Sequence, residues 1–154
     1  MRKQKLFQAV LMAGLFLILS TSCEKEGGGN ETNISNSSAT SHHAGDNCMS
    51  CHKSGGSGEG WFLVAGTAYN TAGTSVFANA KVYLYSEKAN ESSLVKTITA
   101  DKSGNFYTTS SIDFGNGLYV AVENSTGTKS YMNSPVSSGA CNSCHSKGSR
   151  ITAP

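Results

Sequence analysis

The stretch "ANAKVYLYS", residues 78–86, is the part of the sequence that decides the fold. Side chains in a β-strand point alternately to opposite faces, so every second residue shares a face. On that period one face carries two aliphatic residues and the other carries a lysine and two tyrosines. The first face holds Val82, Leu84 and Ser86, and the second holds Lys81, Tyr83 and Tyr85. The stretch therefore predicts a β-strand.

Further short runs between Trp61 and about Met132 are also rich in Val, Tyr, Thr and Phe. They are "WFLVAGTAY", "SLVKTITA", "GNFYTTS", "GLYVAVEN" and "TKSYM". Gly, Asn, Asp and Ser separate the runs at spacings typical of a β-sandwich. "DKSGNF" predicts a turn in which Gly104 can take a positive φ. We expect the aromatic residues to lie in the core or in cross-strand pairs, namely Trp61, Tyr83, Tyr85, Tyr107, Tyr119 and Tyr131.

This region resembles the carboxypeptidase-regulatory and prealbumin-like sandwich domains. The resemblance is carried by "VAGTAY" (64–69), "ANAKVYLYS" (78–86), "TADKSGNFY" (99–107) and "GNGLYVAV" (115–122). It covers about 70 residues and implies a Greek-key β-sandwich over residues 61–134. It implies no activity, because such domains commonly serve as scaffolds or binding modules.

The motif Cys-x-x-Cys-His occurs on both sides of this region. The first copy is Cys48, Cys51 and His52, and the second is Cys141, Cys144 and His145. Three uses of the cysteines compete: disulfides, a tetrahedral Cys₄ zinc site, and covalent attachment of two c-type haems. Neither disulfides nor Cys₄ zinc requires a histidine directly after each pair, whereas a c-type haem takes that histidine as an iron ligand. The pattern therefore predicts two haem c groups, one each in residues 42–60 and 135–154.

At these two motifs the chain resembles the multihaem c-type cytochromes. Each iron then needs a second axial ligand, and the chain has two further histidines, His42 and His43. Together the four histidines would supply two bis-histidine irons. Met132 is an alternative second axial ligand. If it is not a ligand, we expect it to be a packing residue at the end of a strand. If both irons carry two protein ligands, no position remains open for a substrate, so we expect an electron carrier and not an enzyme.

The first 22 residues are typical of a secretory signal peptide. Arg2, Lys3 and Lys5 precede an apolar run from Leu6 to Leu19. "LILSTSCEKE" resembles the lipobox of bacterial lipoproteins, which implies lipidation of Cys23, although Ser20 stands where Leu is usual. The alternative is an ordinary signal that leaves Cys23 as an idle thiol. Residues 23–41 lack a periodic apolar face and predict a flexible, lipid-anchored tether.

The charge balance argues against nucleic acid as a partner. The chain has 12 basic and 10 acidic residues, and the three basic residues of the signal region have no acidic counterpart there. The remainder therefore has a charge close to zero, which is no footprint for nucleic acid. We expect a bacterial cell-envelope protein, an outer-membrane lipoprotein that faces the periplasm or the cell surface.

Two functions remain open from the sequence. One is a dihaem cytochrome that exchanges electrons with other redox proteins or with an external acceptor. The other is a surface-anchored β-sandwich binding module whose haems, or whose Cys₄ zinc, have a structural role.

Overall fold

The computed structural model describes residues 33–154, and this part of the chain is mainly β. The predicted signal peptide (1–22), the lipidated Cys23 and the tether up to residue 32 lie outside the described residues. None of the helices in the described part is long and apolar enough to cross a membrane. The strands are β1 (Val64–Tyr69), β2 (Lys81–Tyr85), β3 (Leu94–Thr99), β4 (Asn105–Thr108), β5 (Tyr119–Glu123), β6 (Lys129–Tyr131), β7 (Gly139–Ala140) and β8 (Ile151–Thr152).

These strands form two sheets. The first sheet contains β1, β4, β7 and β8, and the second contains β2, β3, β5 and β6. The second sheet is antiparallel, in the order β3-β2-β5-β6. In the first sheet β1 pairs antiparallel with β4, and on its other edge it pairs parallel with β7 and then with β8. The six predicted runs thus all contain strands, while β7 and β8 lie in the segment that was predicted to be irregular.

Side chains from both sheets form one apolar cluster. In β2 the predicted alternation places Val82 and Leu84 in the core, at 0% and 1% exposure. Residues of β1, β3, β4 and β5 join the same cluster, including Val64, Ile98 and Phe106. Gly104 has φ 74° in the turn before β4, as the turn sequence predicted.

Tyr85 and Trp61, both predicted to be core or strand-pair residues, have different environments. Tyr85 is fully buried, as predicted, and Lys129 of β6 donates a hydrogen bond to its hydroxyl at 2.8 Å. Trp61 was predicted to be a core or strand-pair residue, and this is wrong: its side chain is 60% exposed. Trp61 precedes β1, so it lacks the strand partners that bury the tyrosines.

Residues 33–41, the last part of the predicted tether, are packed along β4. Ile34 forms a β-bridge with Thr108. Ser35 is buried, and its hydroxyl donates to the backbone oxygen of Thr99 at 2.7 Å. Its backbone N–H donates to the oxygen of Tyr107 at 2.9 Å. The chain therefore enters the first motif from a segment that the sheet holds in place.

The second motif interrupts an edge strand. After β7 the chain leaves the edge of β1, forms the short helix α1 (Cys141–Cys144), and returns to β1 as β8. Gly66 of β1 faces this excursion: a Cβ there would lie 2.9 Å from the Cβ of Cys141. The glycine in β1 thus allows the second motif to lie directly against the strand.

Candidate functional site

Both motifs adopt a single tight turn. A 3-10 turn, Cys48–Ser50, begins the first motif, and α1 spans the two cysteines of the second. In each copy the histidine N–H donates to the oxygen of the first cysteine, at 3.0 Å for His52 and 2.9 Å for His145. Residues three apart share a face of such a turn. The two cysteines of a motif therefore occupy neighbouring positions on one turn.

The loop that follows the first motif holds the ring of His52. The ring Nδ1 is 2.8 Å from the backbone oxygen of Glu59, and Phe62 stacks on the ring at 4.1 Å with planes 6° apart. The backbone of Gly58 passes so close that a Cβ there would lie 2.8 Å from ring atoms. The glycine-rich segment 54–60 folds back on the motif, since Phe62 N–H donates to the oxygen of His52 at 3.0 Å.

His52 faces a cavity of about 450 Å³ that His42, His43 and Cys48 also line. The ring centres of His42 and His52 are 6.1 Å apart, with planes 25° apart. The two rings therefore lie near one another at a cavity whose volume falls within the range of about 300–1,000 Å³ that ligand and cofactor sites span.

The second motif has a similar histidine but a different setting. The Nδ1 of His145 is 2.8 Å from the backbone oxygen of Ser149. The cavity beside His145 measures only about 60 Å³. A haem held by this motif would have to lie against the open surface, where Cys144 is exposed. In both motifs the Nδ1 of the histidine is hydrogen-bonded to a backbone carbonyl oxygen, so Nε2 is the nitrogen that remains available to a metal.

The four cysteines of the motifs carry free thiols in unlike environments. Burial raises the pKa of Cys141 to about 12. Burial also raises the pKa of Cys48. By contrast, hydrogen bonds with Ser57 and Ser50 lower the pKa of the exposed Cys51. No two of these four cysteines form a disulfide.

A buried polar network joins the two motifs. Asn142, in the middle of the second motif, is 6% exposed. Its Nδ2 donates to the oxygen of Asp46 at 2.8 Å and to the hydroxyl of Thr67 at 3.0 Å. Its Oδ1 accepts from the N–H of Thr67 at 3.2 Å. The two motif segments thus lie side by side against β1.

The network continues from Thr67 toward the histidine pair. The hydroxyl of Thr67 accepts from the N–H of Gly45 at 2.9 Å and donates to Oδ1 of Asn105 at 2.6 Å. Asn105 in turn donates to the backbone oxygen of His42 at 2.9 Å. The sequence gives little indication that Thr67 and Asn105 are important, because Thr and Asn are common within strands and the spacing of these two residues matches no motif.

The predicted axial histidines are not divided between the motifs. His42 and His43 both line the larger cavity, with their ring centres 4.9 Å apart. Nδ1 of His43 lies 3.1 Å from a carboxylate oxygen of Asp46. Met132 packs against the apolar cluster, and its N–H donates to the oxygen of Val120 in the second sheet at 2.9 Å. This is the placement of a strand-end packing residue.

The prediction that the protein is not an enzyme is corrected here. That prediction required each iron to receive two protein ligands, and so required one of the two spare histidines to face His145. Both instead lie at the first cavity with His52. Within residues 33–154, the ring pairs that involve histidine are confined to His42, His43 and His52. The ground for excluding catalysis at the second motif is therefore lost.

The described residues suit a directly bound metal ion and a haem to different degrees. Within the described residues, no three His, Cys, Asp or Glu side chains cluster closely enough to hold a metal ion directly. The first cavity brings together His42, His52 and Cys48 of the predicted haem-binding set, while Cys51 is exposed and does not line it. No protein-family model, curated protein or solved structure matches this chain.

Proposed function

We propose that the protein is a dihaem c-type cytochrome that exchanges electrons at a bacterial cell envelope. The observation that carries this proposal is the pair His42 and His52, 6.1 Å apart across a cavity that Cys48 lines. The second copy of the motif, at Cys141–His145, supports a second haem. The group would supply a one-electron iron couple, and the chain supplies its attachment, its axial nitrogens and its surroundings.

Each residue of the first motif has a definite task in this proposal. Cys48 and Cys51 would hold the haem through thioethers, and His52 and His42 would bind its iron. The bond from His52 to the oxygen of Glu59 orients the ring and raises its basicity as a ligand. Phe62 and Tyr107 continue the stack on His52, with ring centres 4.6 Å apart, and shield that side of the site from water.

The proximity of the two motifs supports electron exchange within the chain. Asn142 bonds directly to the backbone of Asp46, two residues before Cys48. Haems attached to segments in contact would lie close together, and electron transfer between them would be fast. A binding module with structural haems, the alternative from the sequence, has no need for this adjacency.

The proposal includes an envelope location and a sandwich architecture. Lipidation of Cys23 would anchor the chain at a membrane, with other redox proteins or an external acceptor as partners. Several acyl chains are needed, because one alone gives only marginal binding. The apolar cluster shared by the two sheets supports a Greek-key β-sandwich as the scaffold.

Mass spectrometry of the mature protein tests this function directly. We expect two covalent haems per chain, and acyl chains on Cys23 in the same spectrum. Cys51→Ala and Cys144→Ala should each remove one haem and leave the other. Native protein that contains zinc and no covalent haem mass would refute the proposal.

A second candidate function follows from the placement of the histidines. Since His42 and His43 both lie with His52, the iron at His145 would keep a position open to an exogenous ligand, as a redox enzyme requires. Carbon monoxide tests this with the reduced protein. A change in the spectrum of one haem, lost in Cys144→Ala, favours the second candidate, and no change favours a carrier with two six-coordinate irons.

A further inference from the structure

Asp101 is a fully buried acid in the turn before β4. Its side chain is 0% exposed, and within residues 33–154 it forms no ion pair. A buried charge without a cation must be stabilised by hydrogen-bond donors. The carboxylate has three of them, from Ser103, Asn105 and Ser41. Two of these donors belong to the turn itself, and the third comes from the segment that leads into the first motif.

The two oxygens of this carboxylate have different partners. Oδ1 accepts from the backbone N–H groups of Ser103 at 2.8 Å and Asn105 at 3.0 Å, which shapes the turn. Oδ2 accepts from the hydroxyl of Ser41, its sole partner within residues 33–154. Asparagine also has one side-chain oxygen and is a common turn residue, so it could shape the turn as aspartate does. The second oxygen of Asp101 is therefore needed for Ser41.

The same turn holds the backbone on both sides of His42. The carbonyl oxygen of Ser41 accepts from the hydroxyl of Ser103 at 2.7 Å, and that of His42 accepts from Nδ2 of Asn105 at 2.9 Å. This Nδ2 also donates to the hydroxyl oxygen of Ser41 at 2.9 Å. Each peptide unit is planar, so fixing the two units that flank His42 fixes the direction in which its side chain leaves the backbone.

The residue that follows indicates that this segment is held by its contacts. His43 has φ 56°, in the left-handed region that is uncommon for a residue with a Cβ. Such a conformation costs free energy and persists only where the surroundings enforce it. Lys102, next to Asp101, adds one contact, since its N–H donates to the oxygen of Ala39 at 3.0 Å. The turn before β4 thus grips the chain from residue 39 to residue 42.

We propose that Asp101 is a positioning residue for the first cavity: through the hydroxyl of Ser41 it fixes the backbone of His42, so that the ring of His42 lies 6.1 Å from that of His52. Asp101 does not line the cavity, whereas Ser41 does, so the acid acts through the serine. The inference rests on the proposed function in one respect, since the ring of His42 serves as an axial ligand only when a haem occupies the cavity. The position of the ring belongs to the chain alone.

Substitutions at both ends of the bond separate this role from a general effect on the fold. Asp101→Asn keeps the acceptor for the turn and removes the acceptor for Ser41, and Ser41→Ala removes the same bond from the other side. Ser41→Thr keeps the hydroxyl and should behave as the wild type. Asp113→Asn is the matched control, because Asp113 also accepts a turn N–H, that of Gly115 at 2.9 Å, but is exposed. If Asp101→Asn does not fold, Ser41→Ala replaces it, since it leaves both turn bonds of Asp101 intact.

Two measurements report the position of the ring, one for each state of the purified protein. If mass spectrometry finds haem, carbon monoxide bound by the reduced protein should rise by about one equivalent per chain in Asp101→Asn and Ser41→Ala, because the first iron loses its second axial nitrogen. If it finds no haem, the proposed function fails, and nuclear Overhauser contacts between the ring protons of His42 and His52 decide the role of Asp101.

These contacts should be present in the wild type, Ser41→Thr and Asp113→Asn, and lost in Asp101→Asn and Ser41→Ala. Carbon monoxide binding should likewise be unchanged from the wild type in Ser41→Thr and Asp113→Asn. The proposal is overturned if a folded Asp101→Asn, or Ser41→Ala, matches Asp113→Asn in the measurement that applies. It is also overturned if Ser41→Thr is as impaired as Ser41→Ala.

Discussion

Asn142 donates a hydrogen bond to the backbone oxygen of Asp46 at 2.8 Å, across 96 residues of sequence. One end of this bond lies inside the second Cys-x-x-Cys-His motif and the other end lies just before the first. The same amide makes two bonds to Thr67 in the middle of β1. A single buried side chain thus sets the spacing between the two candidate haem segments.

Asn142→Ala should therefore destabilise the protein by about 2–4 kcal/mol, because it leaves buried groups of Thr67 and Asp46 without partners. Denaturant unfolding measures this. Ser143→Ala is the matched control: Ser143 is the next residue and exposed, so a change within about 0.5 kcal/mol is expected. Equal unfolding free energies for the two variants would contradict the role of Asn142.

Gly58→Ala should disturb the first haem and spare the second. The added Cβ would meet the ring of His52 at 2.8 Å, so the ring must turn away from the cavity. The absorption spectrum of the oxidised protein should show loss of a low-spin signal from one haem. Gly148→Ala provides the control, since a Cβ there meets nothing within 4 Å. An unaltered spectrum in Gly58→Ala would show that the close approach to His52 has no consequence.

The two adjacent histidines should differ in their effect on the spectrum. His42→Ala removes the ring that faces His52 at 6.1 Å, so the first iron should lose its second axial nitrogen and bind carbon monoxide. His43→Ala removes a ring held by Asp46 and should leave that iron six-coordinate. The measurement is the carbon monoxide difference spectrum of each reduced variant. If His43→Ala alone creates the new binding, the assignment of the distal ligand is reversed.

Tyr83 makes the stability of the second sheet depend on alkaline pH. Burial and a 2.8 Å hydrogen bond to Glu123 raise its pKa from 10.0 to about 12. The folded state therefore favours the neutral phenol, and the stabilisation is complete below pH 10 and declines between pH 10 and 12. Tyr83→Phe should flatten this decline in the unfolding free energy. Tyrosinate absorbance follows the titration, and a Tyr83 that ionises near pH 10 would contradict the prediction.

Much of the fold could be predicted from the sequence because the main strands alternate. Val82 and Leu84 show the period of two directly, and the turn at Gly104 is marked by its own residues. The two-residue strands β7 and β8 could not be predicted, since so short a run has no period. They pair with β1 through contacts that span the whole domain, and no local pattern records such a partner.

The candidate site could also be predicted only in part from the sequence. The two motifs are visible because each is a fixed five-residue pattern. Their position side by side against β1 depends on contacts between residues far apart in the chain, such as Asn142 and Asp46. His42 and His43 line one cavity, whereas the prediction of two bis-histidine irons would need one of these histidines at each motif. Asn142, Thr67 and Asp101 were missed, since their importance depends on burial and on partners far away in the sequence.

The interrupted edge of β1 has a consequence for the order of folding. β1 begins at Val64, but its parallel partners are β7 and β8, which come near the end of the chain. Closing so long a loop costs entropy before any pairing repays it, and such contacts form slowly. The second sheet, whose β2–β3 and β5–β6 pairs join strands that are consecutive in the chain, can assemble earlier. While the C-terminal segment is still undocked, Cys141 and Cys144 would be accessible to solvent, so the haem attachment proposed above would be easiest before the segment docks on β1.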